Sequence, residues 1–579
     1  MRATYWKEIQ TLPVALGIVL AFSSIFACGG RSDRPRRGIT GVVREAPPSA
    51  APIPGARVTL FDAAVTVFEE VRTDSQGRYK IDGMPAGNYS LGASATGYEY
   101  QEFQITYGRK RMSQDFALGP DVHPGRWTVI GDTSPEYLGA SNSGTLLSDG
   151  RILFCHDTRD PVIFDPVTGM KTLPSMSPSE QGCHMTTLLE DDRLIFVGGQ
   201  DGPFTNAVAT VKIYDPVGDM WTVLPDMGSP RWYPTLVRLA DGRLLACGGG
   251  TPPAAARTDT CEILDPRDPT WMWNWTDSMA NPSEYAPSAL LRTGEVLLTW
   301  WPPQLFDPGT ETWRPTGQFV QPDRGWPDHA PHSLVELPDG RMASIGIKRG
   351  TLPTPSMVEI FDPATEAWSL GATTQTTRSY PEVAALPTGQ ILCAGGYLED
   401  NDPTIFTNAW GYTRLTDIYD PATDTWRRAA DMGWAREYHA LTLLIPDGRV
   451  IITAGTDCPA CVPAENDVEA YEPPYLFRGI RPRIDSISKT TLLRGETLTL
   501  GVSRTRAITS VSLLGTQAVT HYVNGGVPRT LSLSFTQQNG NVDVVLPTDP
   551  GVLPIGHYLI FVLVDDIPSE GKIVKVSGP

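Results

Sequence analysis

Two periods run through this chain. Over residues 38–118, and again from 483 to the end, apolar and polar positions alternate in short runs. Examples are Ala56-Arg57-Val58-Thr59-Leu60, Thr497-Leu498-Thr499-Leu500-Gly501-Val502 and Leu531-Ser532-Leu533-Ser534-Phe535. A period of two predicts half-buried β-strands, and clusters such as Asp74-Ser75-Gln76-Gly77 and Asn539-Gly540-Asn541 predict the turns between them. Between these regions a longer unit repeats. Asp149-Gly150-Arg151, Asp191-Asp192-Arg193, Asp241-Gly242-Arg243, Asp339-Gly340-Arg341 and Asp447-Gly448-Arg449 each lead into an apolar strand, with weaker copies at Thr293-Gly294-Glu295 and Thr388-Gly389-Gln390. The copies start 42 to 59 residues apart. Each is followed by an aromatic-or-Leu, acid, Pro turn, from Phe164-Asp165-Pro166 to Tyr471-Glu472-Pro473, and several then reach a Trp (Trp221, Trp313, Trp368, Trp426). Gly-Gly pairs end some of the strands, at Gly198-Gly199, Gly248-Gly249 and Gly395-Gly396.

A period near 50 with these marks is the kelch type of β-propeller blade, and seven copies predict seven blades over residues 121–482. One four-stranded sheet cannot bury both faces, so the ring closes on itself. The repeated aromatic residues are expected between blades. Residues 483–579 are expected to form an immunoglobulin-like sandwich. Residues 38–120 carry Pro54-Gly55-Ala56 before Val58, Thr73-Asp74 before Gly77 and Tyr79, and Pro85-Ala86-Gly87 before Tyr89. That pattern resembles the carboxypeptidase regulatory-like, prealbumin-type sandwich. It holds no His and no Cys, so a spacer or adhesion role is expected. The fold class is therefore all-β, a seven-bladed propeller flanked by two sandwiches.

Composition sharpens this picture. Gly 55 and Pro 52 are too many for a helical bundle, and 15 Trp argue against disorder. The net charge of −18 argues against a nucleic-acid partner, because phosphate binding needs concentrated Lys and Arg. Residues 1–28 read as a secretory signal: Arg2 and Lys7 precede the mostly apolar run Leu12 to Phe26, which is short for a membrane span. The signal ends Ala27-Cys28-Gly29, similar to a bacterial lipobox, so Cys28 is the expected lipid anchor and the only expected membrane contact. Residues 29–37 are a polar tether. The exported protein, outer membrane or cell surface preferred, is expected to be a monomer and permits disulfides.

Candidate chemistry clusters just upstream of the blade turns. Cys183 precedes Asp191 by eight residues, Tyr233 precedes Asp241 by eight, and Tyr438 precedes Asp447 by nine, with His439 beside it. These are nearly equivalent strand starts on different blades, converging toward one end of the axis. His521 lies in Val519-Thr520-His521-Tyr522-Val523-Asn524 of the last sandwich. Imidazole nitrogen and phenolate oxygen suit Cu(II), whereas a carboxylate-poor set does not suit Ca²⁺ or Mg²⁺.

The most specific stretch runs from Tyr438-His439-Ala440 through Pro446-Asp447-Gly448-Arg449 to Cys458-Pro459-Ala460-Cys461 and Tyr475-Leu476. It resembles the galactose oxidase / glyoxal oxidase family of radical copper oxidases, over residues 125 to 579. The resemblance implies one mononuclear copper held by Tyr233, Tyr438, His439 and His521, with Tyr438 as axial ligand and base. It implies a thioether between Cys183 and Tyr233 that carries a radical, a substrate-contacting Arg324, and a short Cys458–Cys461 disulfide. It also implies a small alcohol, aldehyde or carbohydrate substrate, O₂ as acceptor and H₂O₂ as product. Arg231-Trp232 before the tyrosine is closer to glyoxal oxidase-like members. Galactose oxidase has a Trp stacked over the thioether just after the Gly-Gly pair. Here that place is Gly250-Thr251-Pro252, with no aromatic residue, so radical lifetime and potential depend on whether an aromatic such as Trp326 arrives from elsewhere. The competing reading is a non-catalytic surface lipoprotein whose propeller binds glycan or protein. Cys155, Cys247, Cys261 and Cys393 have no pairing legible in the sequence.

Overall fold

The structure is a computed structural model. It describes residues 38–578 except 63–66, 96, 109, 121, 134–142, 156–160, 202–205, 252–255, 322–331, 348–356, 375, 399–411, 437–438, 456–465 and 505–506. Among these residues the regular secondary structure is almost entirely strand, with one short 3₁₀ turn at Pro474–Phe477.

Seven antiparallel sheets share one plan among the described residues. The second is the simplest case, with Met185–Leu188, Leu194–Val197, Val211–Asp215 and Met220–Leu224 paired in chain order. Burial falls from the first strand to the fourth. Leu194–Val197 is apolar at every position and wholly buried, whereas Met220–Leu224 is mostly exposed. The innermost strands are Ser143–Leu146, Met185–Leu188, Thr235–Arg238, Ser288–Leu290, Ser333–Glu336, Glu382–Ala385 and Ala440–Leu444. Each touches the next in cyclic order, and the last touches the first. Small residues and Thr fill many of these positions because seven backbones crowd the axis.

The chain closes the ring with a strand from before the first repeat. Arg126–Asp132 pairs with Asp467–Glu472 as the outer strand of the seventh sheet. Its Trp127 lies 5.1 Å from Tyr471, as Trp221 lies 4.8 Å from Tyr214, Trp368 5.2 Å from Phe361 and Trp426 5.0 Å from Tyr419. Each indole also donates to a carbonyl in the link from the preceding sheet: Ala430, Ser175, Gly317 and Ala372 respectively. These four Trp therefore tie neighbouring blades together.

The repeated turns follow from glycine chemistry. Gly150, Gly242, Gly294, Gly340, Gly389 and Gly448 all adopt φ between 83° and 93°, a region open to glycine. The second turn has Asp192 at that place, at φ 69°. Its carboxylate reaches His557 Nε2 at 2.7 Å and Lys575 Nζ at 3.1 Å on the C-terminal sandwich. That sandwich lies against the turn end of the ring.

The C-terminal sandwich packs its own core around Leu498, Leu513, Val542, Tyr558 and Ile560. It also sends out a hairpin, Ala518–Thr520 and Val523–Asn524. This hairpin pairs with Ser143–Leu146, extending the first sheet to six strands, and touches the inner strands of the second, fifth and seventh sheets. It therefore enters the centre of the ring. The segment around His521, read from sequence as part of the last sandwich, belongs structurally to the propeller axis. The N-terminal sandwich has a separate core around Val58, Leu91 and Tyr107 and docks on the C-terminal one, where buried Arg57 bonds Asp565 at 2.8 Å and Glu70 at 2.6 Å.

Candidate metal centre

At the end of the ring away from the repeated turns, several inner strands begin in the same unusual way. Cys183, Tyr233, Tyr285 and Tyr380 precede the second, third, fourth and sixth inner strands and have φ of 51°, 58°, 40° and 52°. A left-handed backbone at a non-glycine residue costs on the order of 1–3 kcal/mol and persists only where the surroundings impose it.

The surroundings are visible two residues upstream. Arg231, Arg378 and Arg436 are fully buried. Arg231 Nη1 donates to the carbonyls of Gly248 and Thr260, at 2.9 and 2.8 Å, and Nη2 reaches Glu262 at 2.7 Å. Arg378 repeats this with Gly395, Leu415 and Asp417, and Arg436 with Ala454, Asp467 and Glu469. Each guanidinium thus bridges the second and third strands of its own sheet. Burial pushes the Arg231 and Arg436 guanidinium pKa values down, against the pull of their carboxylate partners. A neighbouring sheet also takes part. Gly199, Gly249 and Gly396 donate to the carbonyls of Arg231, Ser283 and Arg436, at 2.7, 2.7 and 2.9 Å. A Cβ on Gly249 would lie 2.9 Å from both the Trp232 carbonyl and the Arg231 side chain. These bonds anchor the upstream residue, and the left-handed residue then turns its side chain toward the axis.

There it meets the hairpin. His521, fully buried at φ 54°, sits at the hairpin turn with Nδ1 2.9 Å from Thr520 Oγ1. The Tyr233 ring lies 5.5 Å from the His521 ring, edge-on at 73°. The His439 ring lies 4.9 Å from it at 60°. Cys183 is buried at the equivalent strand start of the adjacent sheet, with Gln200 Nε2 3.6 Å from its sulfur.

The structure therefore brings Tyr233, His439 and His521 together and sets Cys183 at the matching place on the next blade. Tyr438, Arg324, Cys458, Cys461 and Cys28 lie outside the described residues, as does Trp326. Arg436 nevertheless precedes Tyr438 by two residues, as Arg231 precedes Tyr233. His184, next to Cys183, is engaged elsewhere, with Ser143 Oγ at 3.0 Å and the Gln181 carbonyl at 2.7 Å.

Sequence reasoning missed Tyr285, Tyr380 and the role of Trp232. The Tyr285 ring is 4.2 Å from Tyr233, Trp232 is 4.9 Å from it, and Tyr380 lies 5.3 Å from Tyr522 beside His521. Trp232 lies across a β-bridge from Gly250, and a Cβ on that glycine would meet it at 3.6–3.7 Å. The missed signal was the shared arginine in Arg231-x-Tyr233, Arg378-x-Tyr380 and Arg436-x-Tyr438. The structure also pairs Cys247 with Cys261, directly opposed on neighbouring strands, while Cys155 and Cys393 are buried.

The donor set fits copper. Among the described residues, no group of three or more His, Cys, Asp and Glu forms that could hold a metal ion. At this end of the ring His439 and His521 offer imidazole nitrogen and Tyr233 offers phenol oxygen. Two imidazoles with phenolate oxygen suit Cu(II).

Comparisons with known proteins bear on the fold. The galactose oxidase-like Early set domain family matches residues 481–576, which include the hairpin and His521. The chain has the galactose oxidase-like fold. A fungal alcohol oxidase of the AA5 family, solved in complex with copper, superposes with a TM-score of 0.64 at 20% identity, over 79% of this chain and 100% of that one. The carboxypeptidase regulatory-like domain family matches residues 38–119. A galactose oxidase of Gibberella zeae is 30% identical over 212 residues, 34% of this chain and 29% of that protein. Aldehyde oxidase GLOX1 of Arabidopsis thaliana is 23% identical over 227 residues, 35% of this chain and 36% of that protein. The aligned stretch thus spans about a third of the length of these curated relatives.

Proposed function

We propose that this protein is an extracytoplasmic radical copper oxidase that converts a primary alcohol or aldehyde with O₂ and releases H₂O₂. The observation that carries the reading is the convergence of Tyr233, His439 and His521 from three separate elements, with Cys183 at the equivalent strand start of the next blade. His439 and His521 are the nitrogen ligands in this reading, and Tyr233 and Tyr438 the oxygen ligands. Copper, when bound, supplies one of the two oxidising equivalents and a Lewis acid that lowers the pKa of a hydroxyl. Tyr438 accepts the hydroxyl proton as general base. Tyr233, joined through a ring carbon to the Cys183 sulfur, accepts the hydrogen from the substrate carbon, because the thioether makes the phenol easier to oxidise. Forming that thioether removes one hydrogen from Cys183 and one from Tyr233, with O₂ as oxidant. In turnover the alcohol loses two electrons and two protons to become an aldehyde, and O₂ gains both to leave as H₂O₂.

Arg231-Trp232 ahead of Tyr233 favours a glyoxal oxidase-like preference for small aldehydes and alcohols. Arg324 is the proposed substrate contact. Export with a lipid on Cys28 accords with the Cys247–Cys261 disulfide, a bond typical of oxidising compartments.

Peptide mass spectrometry after exposure to copper and air tests the reading. A Cys183–Tyr233 peptide pair lighter by two hydrogens, with peroxide released on an alcohol or aldehyde panel, is the expected result. Separate Cys183 and Tyr233 peptides with no peroxide would favour a glycan- or protein-binding lipoprotein on the same frame.

A further inference from the structure

The oxidase reading gives Tyr285 no role, yet this residue touches both halves of the site. Its ring is the nearest to parallel with Tyr233, with centroids 4.2 Å apart and planes 30° apart. The same ring lies 4.5 Å from His521 at 48°. Tyr233 and His521 are themselves farther apart and edge-on, so Tyr285 is a common wall for the two. Trp232 also flanks Tyr233, but at a longer 4.9 Å and a steeper 40°. Tyr285 is fully buried. Its amide donates to the Tyr233 carbonyl at 2.9 Å, which ties the two backbones together. Its φ of 40° is the same strained turn found at Cys183 and Tyr233, one blade further round. Such strain at a large aromatic residue marks a position that the surroundings over-determine.

We propose that Tyr285 is the stacking partner of the Tyr233 radical centre. It is a positioning residue: its ring lies against both the Tyr233 ring and the His521 ring, so it holds the two in one orientation. An oxidised phenol is electron-poor, and a second aromatic face against it disperses that deficit and excludes water. Tyr285 thereby governs how readily Tyr233 gives up one electron and how long the oxidised ring survives. This rests on the oxidase reading above and extends it to a residue on the fourth blade.

The test compares Tyr285→Leu with Tyr285→Phe in the full chain. Copper-loaded protein is oxidised by one electron with ferricyanide, and the visible absorption of the Tyr233 radical is followed as it decays. Cross-linked peptide yield and thermal unfolding of the metal-free protein are measured in parallel. Tyr285→Phe keeps the ring and is expected to match the wild type. Tyr285→Leu is expected to lose the radical about tenfold faster, the scale of one aromatic contact. It should also need a stronger oxidant to form the radical. If Tyr285→Leu does not fold, Tyr285→Met, unbranched and adaptable, takes its place. A wild type without cross-link or radical would overturn the oxidase reading. A wild type with both, matched by Tyr285→Leu, would overturn the role of Tyr285 alone. Tyr285→Phe behaving like Tyr285→Leu would also overturn it, by assigning the effect to the hydroxyl.

Discussion

The two ends of the propeller use the same residue types in opposite ways. At the turn end, Arg151, Arg193, Arg243 and Arg341 pair with the Asp two residues earlier, at 2.6–2.7 Å, and both partners are partly exposed. At the other end, Arg231 and Arg436 pair with Glu262 and Glu469, and all four are buried. The first kind repeats along the chain and closes turns. The second kind is longer in sequence, bridges whole strands and holds Tyr233 and the start of the seventh inner strand in place. Exposed pairs contribute little because water screens them, whereas a buried pair that loses one partner leaves a charge stranded. The difference teaches where the repeat merely builds the ring and where it has been specialised into a site.

The largest expected effect comes from breaking the site end chemically. Cys183→Ser should lower turnover by orders of magnitude while copper content after dialysis stays near that of the wild type. Equal turnover would remove the thioether from the account. Next comes the buried clamp. Arg231→Ala strands Glu262 and should destabilise the protein by about 3–5 kcal/mol in denaturant unfolding. A loss no larger than that of an exposed pair would erase the contrast between the two ends.

A smaller effect should appear with pH at the one turn that breaks the rule. The hydrogen bond from His557, aided by Lys575, holds the Asp192 carboxyl well below its ordinary 3.8. Burial pushes the His557 imidazole below its ordinary 6.5, outweighing the opposing pull of Asp192. Both shifts have the same sign for stability. The unfolded chain binds the extra protons, so stability is highest above pH 6.5 and falls as pH drops through 6.5 and then through 3.8. Melting temperature against pH should show this slope, and Asp192→Asn should flatten its lower part. A melting temperature that rises on acidification would contradict the assignment. The smallest change is expected at an ordinary turn. Arg341→Ala removes an exposed partner of Asp339 and should shift stability by no more than about 1 kcal/mol, with peroxide release unaltered.

What is periodic or local can be read along the chain. The alternation of apolar positions, the Asp-Gly-Arg turns and the recurring Trp follow from strand geometry, left-handed glycine and aromatic burial, which act over a few residues. Tyr233, Cys183 and His439 were legible because each stands at a fixed offset from its turn. The tertiary structure alone decided what joins distant parts. His521 reaches the axis because a hairpin of the C-terminal sandwich pairs with Ser143–Leu146, more than 370 residues earlier in the chain. Tyr285 meets Tyr233 because two blades meet at a ring that only closure with Arg126–Asp132 completes. Cys247 finds Cys261 through strand register. Side-chain proximity across blades depends on how the sheets are arranged around one axis, and no period along the chain encodes that arrangement residue by residue.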